Sequence, residues 1–218
     1  MLKQVIKTGD GSNSIFIPEM NVAYHSIHGA VQESNHVFIK AGLKPLLHQH
    51  QTINIFEMGF GTGLNALLSL QTAVLHQQKI NYTTVELFPL TPEEVVELNY
   101  ADENFVQLHR CDWEKDMVLN DRFSIHKTNQ SLINYSTGKK FNLVYFDAFD
   151  PNTQPELWTK EIFEKLFLMM ASNGILVTYS SKGNVRRAML EAGFSVEKIP
   201  GPPHKREMIR AKKTTDNG

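Results

Sequence analysis

Cysteine is nearly missing: Cys111 stands alone among 218 residues. A single thiol excludes an intrachain disulfide and a cysteine-built zinc site. Long apolar runs are missing too. No stretch approaches the about 20 residues of a membrane-spanning helix. The opening, Met1 to Lys7, lacks the apolar segment of a secretory signal, so a cytoplasmic location is expected. Histidines at 25, 28, 36, 48 and 50 never take the i,i+4 spacing around a glutamate that a helical zinc site uses, so no metal is expected. Net charge is close to absent, at −1, which gives no global attraction to polyanions. Its distribution is uneven, however. From Ser180 onward nine Lys and Arg stand against four Asp and Glu, so this segment carries +5 and the remainder −6. That asymmetry points to an anionic partner.

What is present is led by Ile53–Asn65. An apolar run with β-branched residues ends at Glu57, and Gly59-Phe60-Gly61-Thr62-Gly63 precedes the helix-forming Leu64–Leu70. Strand, glycine turn and helix form the nucleotide-binding unit of an open α/β sheet. The spacing is G-x-G-x-G, not the G-x-G-x-x-G of a dinucleotide site, and no Gly-Lys-Ser/Thr follows. Glu57 would repel phosphate. It suits a ligand with hydroxyls and positive charge, as S-adenosylmethionine (SAM) has.

The rest of the chain supports that reading. Ile80–Glu86 alternates as a second strand, and an acid at its end suits the two ribose hydroxyls. Thr91-Pro92-Glu93-Glu94 reads as a helix start, with the helix running to about Tyr100. Residues 101–122 carry little pattern. Arg122–Thr128 alternates as a third strand, placing Asn129 where an amide could meet the adenine amine. Lys140–Phe146 is a buried strand delivering Asp147. Pro155–Met170 has helical periodicity, Gly174–Tyr179 is a further strand, and Asn184–Ala192 is a helix stopped by Gly193. Phe194–Ile199 and Glu207–Arg210 pair as a hairpin at the sheet edge. Glu57, Glu86, Asn129 and Asp147 thus fall at strand carboxyl ends, the ligand edge of such sheets. Residues 1–52 are expected as an N-terminal extension covering the cofactor, with Val31–Ile39 a helix or loop running into a strand. Residues 53–211 form the α/β domain and 212–218 a frayed tail.

This order resembles the class I SAM-dependent methyltransferases: a doubly wound, Rossmann-like sheet with a C-terminal antiparallel hairpin. Glu57–Asn65, Tyr145–Pro151, Pro155–Trp158, Thr178–Arg187 and Pro200–Met208 together resemble the methyltransferase domain of MnmC, found alone as MnmD-type proteins. The resemblance covers roughly residues 20–210. It implies SAM-dependent N-methylation of the 5-aminomethyl group on wobble 2-thiouridine in tRNA. It implies the tRNA anticodon loop as partner, with separate enzymes supplying the aminomethyl-uridine. With no oxidoreductase domain like that of MnmC expected in these residues, the resemblance implies methyl transfer only. Asn129-Gln130 stands where many methyltransferases carry an acid.

The residues expected to hold SAM are Glu57, Gly59, Phe60, Gly61, Thr62, Gly63, Glu86, Asn129 and Asp147. Asp147 is also the catalytic candidate: a carboxylate can hold, orient and deprotonate an acceptor ammonium. Whether it acts as base, orienter or cofactor ligand stays open at this point. Phe149 and Tyr179 are expected to wall the acceptor pocket. Lys182, Arg186, Arg187, Lys205 and Arg206 are expected to contact phosphates. Two other readings fit the same residues. One is a small-molecule amine methyl- or aminopropyltransferase, whose fold is related and whose cover also carries a Tyr-His pair, here Tyr24-His25. The other is a non-catalytic RNA-binding protein that kept the fold.

Overall fold

The structure is a computed structural model describing residues 2–100 and 102–214. The chain opens with a three-stranded antiparallel sheet, β1 (Gln4–Lys7), β2 (Asn13–Ile17) and β3 (Val22–Ala23). Helix α1 (Ala30–Ser34) follows and widens without a break into π-helical turns over Asn35–Leu43. Here the expected strand near Val31–Ile39 gives way to helix. Val37, Phe38, Ile39 and Leu43 are buried on the main sheet, and widened turns blur the 3.6-residue period by which helices are read. Gly42 permits the approach, since a Cβ there would meet Val177 and Leu143 side chains at 3.0 and 3.2 Å.

The main sheet then forms. In chain order come β4 (Thr52–Met58), α2 (Leu64–Leu75), β5 (Lys79–Val85), α3 (Pro92–Val96), α4 (Glu103–Arg110), β6 (Asp116–Asn120) and β7 (Phe123–Thr128). After them come β8 (Phe141–Phe146), α5 (Lys160–Met169), β9 (Met170–Thr178), α6 (Gly183–Glu191), β10 (Ser195–Pro200) and β11 (Glu207–Lys212). Spatial order is β10-β11-β9-β8-β4-β5-β7-β6. β9, β8, β4, β5 and β7 are parallel, while β11 runs against both β9 and β10, and β6 against β7. The doubly wound sheet with its antiparallel C-terminal pair is therefore present. The chain winds from β4 outward through β5 to β7 and then crosses back to β8 on the other side of β4, so a crevice opens at the carboxyl ends of β4, β5 and β8 where the winding reverses.

Strand alternation divides the core. Ile53, Ile55, Tyr82, Leu143 and Tyr145 face α2, α4 and the π-helical segment. Phe56, Val144, Phe146 and Leu176 face α5 and α6. Each such side chain contributes about 1.5–3 kcal/mol on burial. Ile15, Ala30 and Val37 belong to the same cluster as Ile53, so packing is continuous through the expected boundary at residue 52.

Several local readings shift. Thr91 does cap α3, in a reciprocal capping box with Glu94, but the helix ends at Val96. Residues 101–122 hold α4 and the antiparallel strand β6, neither legible beforehand. Helix α6 starts at Gly183, one residue before the expected cap. Lys212 lies in β11, and Lys213 Nζ donates to the carbonyls of Phe167 and Met170 at 2.9 and 3.1 Å, so neither is frayed. Residues 215–218 of the expected tail lie outside the described residues.

Candidate active site

Two cavities open at the carboxyl edge. The larger, about 720 Å³, runs from the glycine loop past Glu86 to the loop after β7. The smaller, about 240 Å³, lies between the N-terminal segment, the loop after β8 and Lys205. Tyr24, His25, Asp147, Ala148 and Phe149 line both.

The glycine loop forms the floor of the larger cavity. Gly59, Gly61 and Gly63 all have positive φ, of 89°, 50° and 73°. At Gly61 and Gly63 space is also short: a Cβ would meet the Tyr24 ring at 3.0 Å or His109 Nε2 at 2.9 Å. Glycine alone satisfies both demands. Thr62 is held from two sides. His109 Nε2 donates to its carbonyl at 3.0 Å, and His25 Nε2 lies 3.4 Å from its hydroxyl. Burial lowers both imidazoles to a pKa of about 4, so both are neutral at pH 7.

Glu86 leaves the end of β5 and enters the cavity. Its two carboxylate oxygens accept the Gly61 and Phe88 backbone N–H groups, at 3.0 and 2.8 Å. A carboxylate has about four acceptor sites, so pairing to two N–H groups fixes its orientation and leaves capacity for a diol. Leu87, Leu132 and Ile133 supply apolar walls beyond it. The cation among the lining residues, Lys3, is paired with Glu94 at 3.0 Å.

Asp147 follows β8 at the junction of the cavities. Its Oδ2 accepts from Asn65 Nδ2 at 2.9 Å. Burial, reinforced by the charge of Glu33, pushes its pKa up to about 7, against the Asn65 hydrogen bond and Lys205, which favour the ionised form. The following loop is braced at three points. Tyr179 Oη donates to the Ala148 carbonyl at 2.8 Å, Trp158 Nε1 to the Phe149 carbonyl at 2.7 Å, and Phe149 N–H to Gln154 Oε1 at 3.0 Å. Tyr24 meets Phe149 edge to face, with centroids 5.3 Å apart.

Two expected cofactor residues lie elsewhere. Glu57 is fully buried and absent from both cavity walls. The pleat turns it to the α2 side, with Ile53 and Ile55, among Tyr82, Thr84 and Asn65. Neither carboxylate oxygen closes a well-formed hydrogen bond with them. Burial, with the nearby charge of Asp147, raises its pKa well above the ordinary glutamate value, which disfavours the charged form there. Asn129 is exposed, and its amide donates back to the Glu86 and Leu87 carbonyls at 2.8 and 3.2 Å. Gln130 and Ser131 line the cavity in its place.

The expected phosphate-binding residues divide into two groups. Arg186, Arg187 and Arg206 are exposed, without an ion pair among the described residues. Lys182 is paired with Asp150 at 2.6 Å and Lys205 with Glu33 at 2.7 Å. Sequence reasoning missed Glu33, Asn65, His109 and Gln154. Their positions depend on tertiary packing, although the Tyr24-His25 pair was a local signal for the cover.

A family model described as S-adenosyl-L-methionine-dependent methyltransferase matches residues 77–214. The chain is similar to the tRNA 5-methylaminomethyl-2-thiouridine biosynthesis bifunctional protein MnmC of Pseudoalteromonas atlantica, 31% identical over 87% of this chain and 30% of that protein. It is 29% identical to the protein of the same name from Azoarcus, over 87% of this chain and 32% of that one. The chain thus spans about a third of the length of these relatives. Among solved structures, MnmC2 from Aquifex aeolicus superposes with a TM-score of 0.83 at 24% identity, covering 98% of this chain and 72% of that one. Spermidine synthase from Thermotoga maritima shares the fold, with a TM-score of 0.59 at 11% identity over 99% and 73%.

Proposed function

Since the chain belongs to the S-adenosyl-L-methionine-dependent methyltransferases, we propose that it methylates the 5-aminomethyl group of wobble 2-thiouridine in tRNA. The larger cavity fits SAM: its volume is that of a cofactor site, it offers Glu86 to a diol, and it has apolar walls beyond. We assign Glu86 to the ribose hydroxyls, the Gly59–Gly63 backbone to close contact along the cofactor, and Leu87, Leu132 and Ile133 to the adenine faces. SAM, when bound, supplies a methyl group on a sulfonium.

The observation that carries the reading is the position of Asp147, which lines both cavities. An alkyl ammonium entering the smaller cavity must lose a proton before its nitrogen can attack. A carboxyl whose pKa is near 7 is matched to that task at neutral pH. Asn65 holds one oxygen of Asp147, leaving the other for the acceptor. The Tyr24–Phe149 contact shields the junction from water, and alignment there supplies much of the acceleration. Arg186, Arg187 and Arg206 offer sequence-independent phosphate contacts outside the pocket. In this reading separate enzymes form the aminomethyl group.

The test is incubation with SAM and tRNA bearing 5-aminomethyl-2-thiouridine, with nucleosides read by mass spectrometry. Conversion to the methylaminomethyl nucleoside is expected. No conversion by protein that binds SAM refutes the substrate assignment. A small-molecule amine acceptor is the second reading, since the smaller cavity by itself admits a free amine. Turnover of free diamines with indifference to tRNA would favour it.

A further inference from the structure

The smaller cavity already holds a primary ammonium, that of Lys205. From the loop between β10 and β11, Lys205 Nζ donates to Glu33 Oε1 at 2.7 Å and lies 4.3 Å from the centroid of the Tyr179 ring. Glu33 is buried, at 8% exposure, and its other oxygen accepts the Ser26 N–H at 2.8 Å. Its carboxylate is therefore fixed before any partner arrives. Lys205, Glu33, Tyr179 and Asp147 line one space, and the charge of Lys205 is felt at Asp147. An aromatic face beside an oriented carboxylate is a general receptor for cations of this size.

We propose that Glu33 and the face of Tyr179 form the subsite for the acceptor's ammonium, with Lys205 as an internal stand-in that the docking tRNA draws out. The inference rests on the tRNA reading above and deepens it. The ammonium of lysine and that of an aminomethyl group are the same chemical class, a primary ammonium on a methylene, so a receptor that fits one fits the other. Arg206, exposed next in the chain, marks the outer face of the same loop as a place for phosphates. A phosphate approaching there competes with Glu33 for Lys205. Once Lys205 leaves, a buried carboxylate lacks its counter-charge, an unfavourable state that an incoming ammonium relieves. Phosphate docking and amine capture are thereby coupled. A neutral substituent, such as a hydroxymethyl group, receives no such gain.

The probes are 5-aminomethyl-2-thiouridine nucleoside, its 5-hydroxymethyl counterpart, and tRNA lacking the amine. Calorimetry is run on the full chain saturated with S-adenosylhomocysteine. Lys205→Met should bind the amine nucleoside about tenfold more tightly, bind the tRNA several-fold more weakly, and bind the hydroxymethyl nucleoside no better than wild type does. Unchanged or weaker amine binding by the variant overturns the proposal. SAM affinity, which reads the larger cavity, serves as the folding control. Should Lys205→Met fail to fold, Glu33→Gln decides: amine affinity must fall about tenfold with tRNA affinity retained, and equal losses of both overturn the subsite. If the wild-type protein methylates the modified tRNA yet these shifts are missing, only the subsite fails. If it does not methylate that tRNA, the reading beneath it fails.

Discussion

The two cavities that meet at Asp147 differ in how the charged groups of their walls are held. The larger is lined by the glycine loop, apolar side chains and the Lys3–Glu94 pair, with the Glu86 carboxylate oriented by two backbone N–H groups. The smaller is lined by both members of the Lys205–Glu33 pair and by Asp150, whose partner Lys182 lies outside the lining. The first suits a ligand recognised the same way at every turnover. The second suits a charged group that must enter and leave, since Lys205 is only half-buried and an incoming ammonium can take its place beside Glu33. On the proposed reading, cofactor binding would reside at the ends of the parallel strands, and acceptor selection where the N-terminal segment meets the C-terminal hairpin.

The division can be broken most forcefully at the junction. Asp147→Asn keeps the Asn65 contact possible but removes the proton acceptor, so methyl transfer should fall about 10²–10⁴-fold in a single-turnover assay. Next comes the larger cavity alone. Glu86→Ala removes the diol acceptor and frees the Gly61 N–H, and SAM should bind about 10²-fold more weakly by calorimetry, with tRNA affinity unchanged. The pH profile is a smaller effect. Because the Asp147 carboxyl titrates near 7, the wild-type rate should climb about tenfold per unit below that pH and then level, and Asp147→Asn should lose this bend.

Glu57 sharpens the comparison from beneath. Its pKa is raised in the folded state, so the native protein holds a proton that the unfolded chain has released. Its contribution to stability is complete below the ordinary glutamate pKa of about 4.5 and declines as pH rises toward the raised folded value. Glu57→Gln removes that decline. Its melting temperature should match wild type near pH 4.5 and exceed it by a few degrees at pH 8, with SAM affinity almost unchanged. A large loss of SAM affinity would return Glu57 to the binding site.

Much of the larger cavity was legible in the sequence because it depends on short-range patterns. A strand, three alternate glycines and a helix former fix the loop, and acids at strand ends marked Glu86 and Asp147. The placement of Glu57 and Asn129 off the cavity walls follows from one-residue geometry. Glu57 shares its pleat face with Ile53 and Ile55, a period-2 relation that points it into the core. Asn129 and Gln130 are adjacent, and the exit of β7 turns one outward and the other inward. The smaller cavity was far less legible. Glu33 and Lys205 are 172 positions apart, and their meeting depends on helix α1 docking against the hairpin. The sequence left Val31–Ile39 open between a helix and a loop, and no local pattern reveals that a lysine in a basic segment is already paired.

Calorimetric titration of Asp147→Asn with SAM tests the division most directly. If donor and acceptor occupy separate cavities and Asp147 serves the acceptor, the variant binds SAM within a few-fold of wild type while transfer is lost. A loss of SAM affinity as large as that of Glu86→Ala would make Asp147 a cofactor ligand and contradict the account.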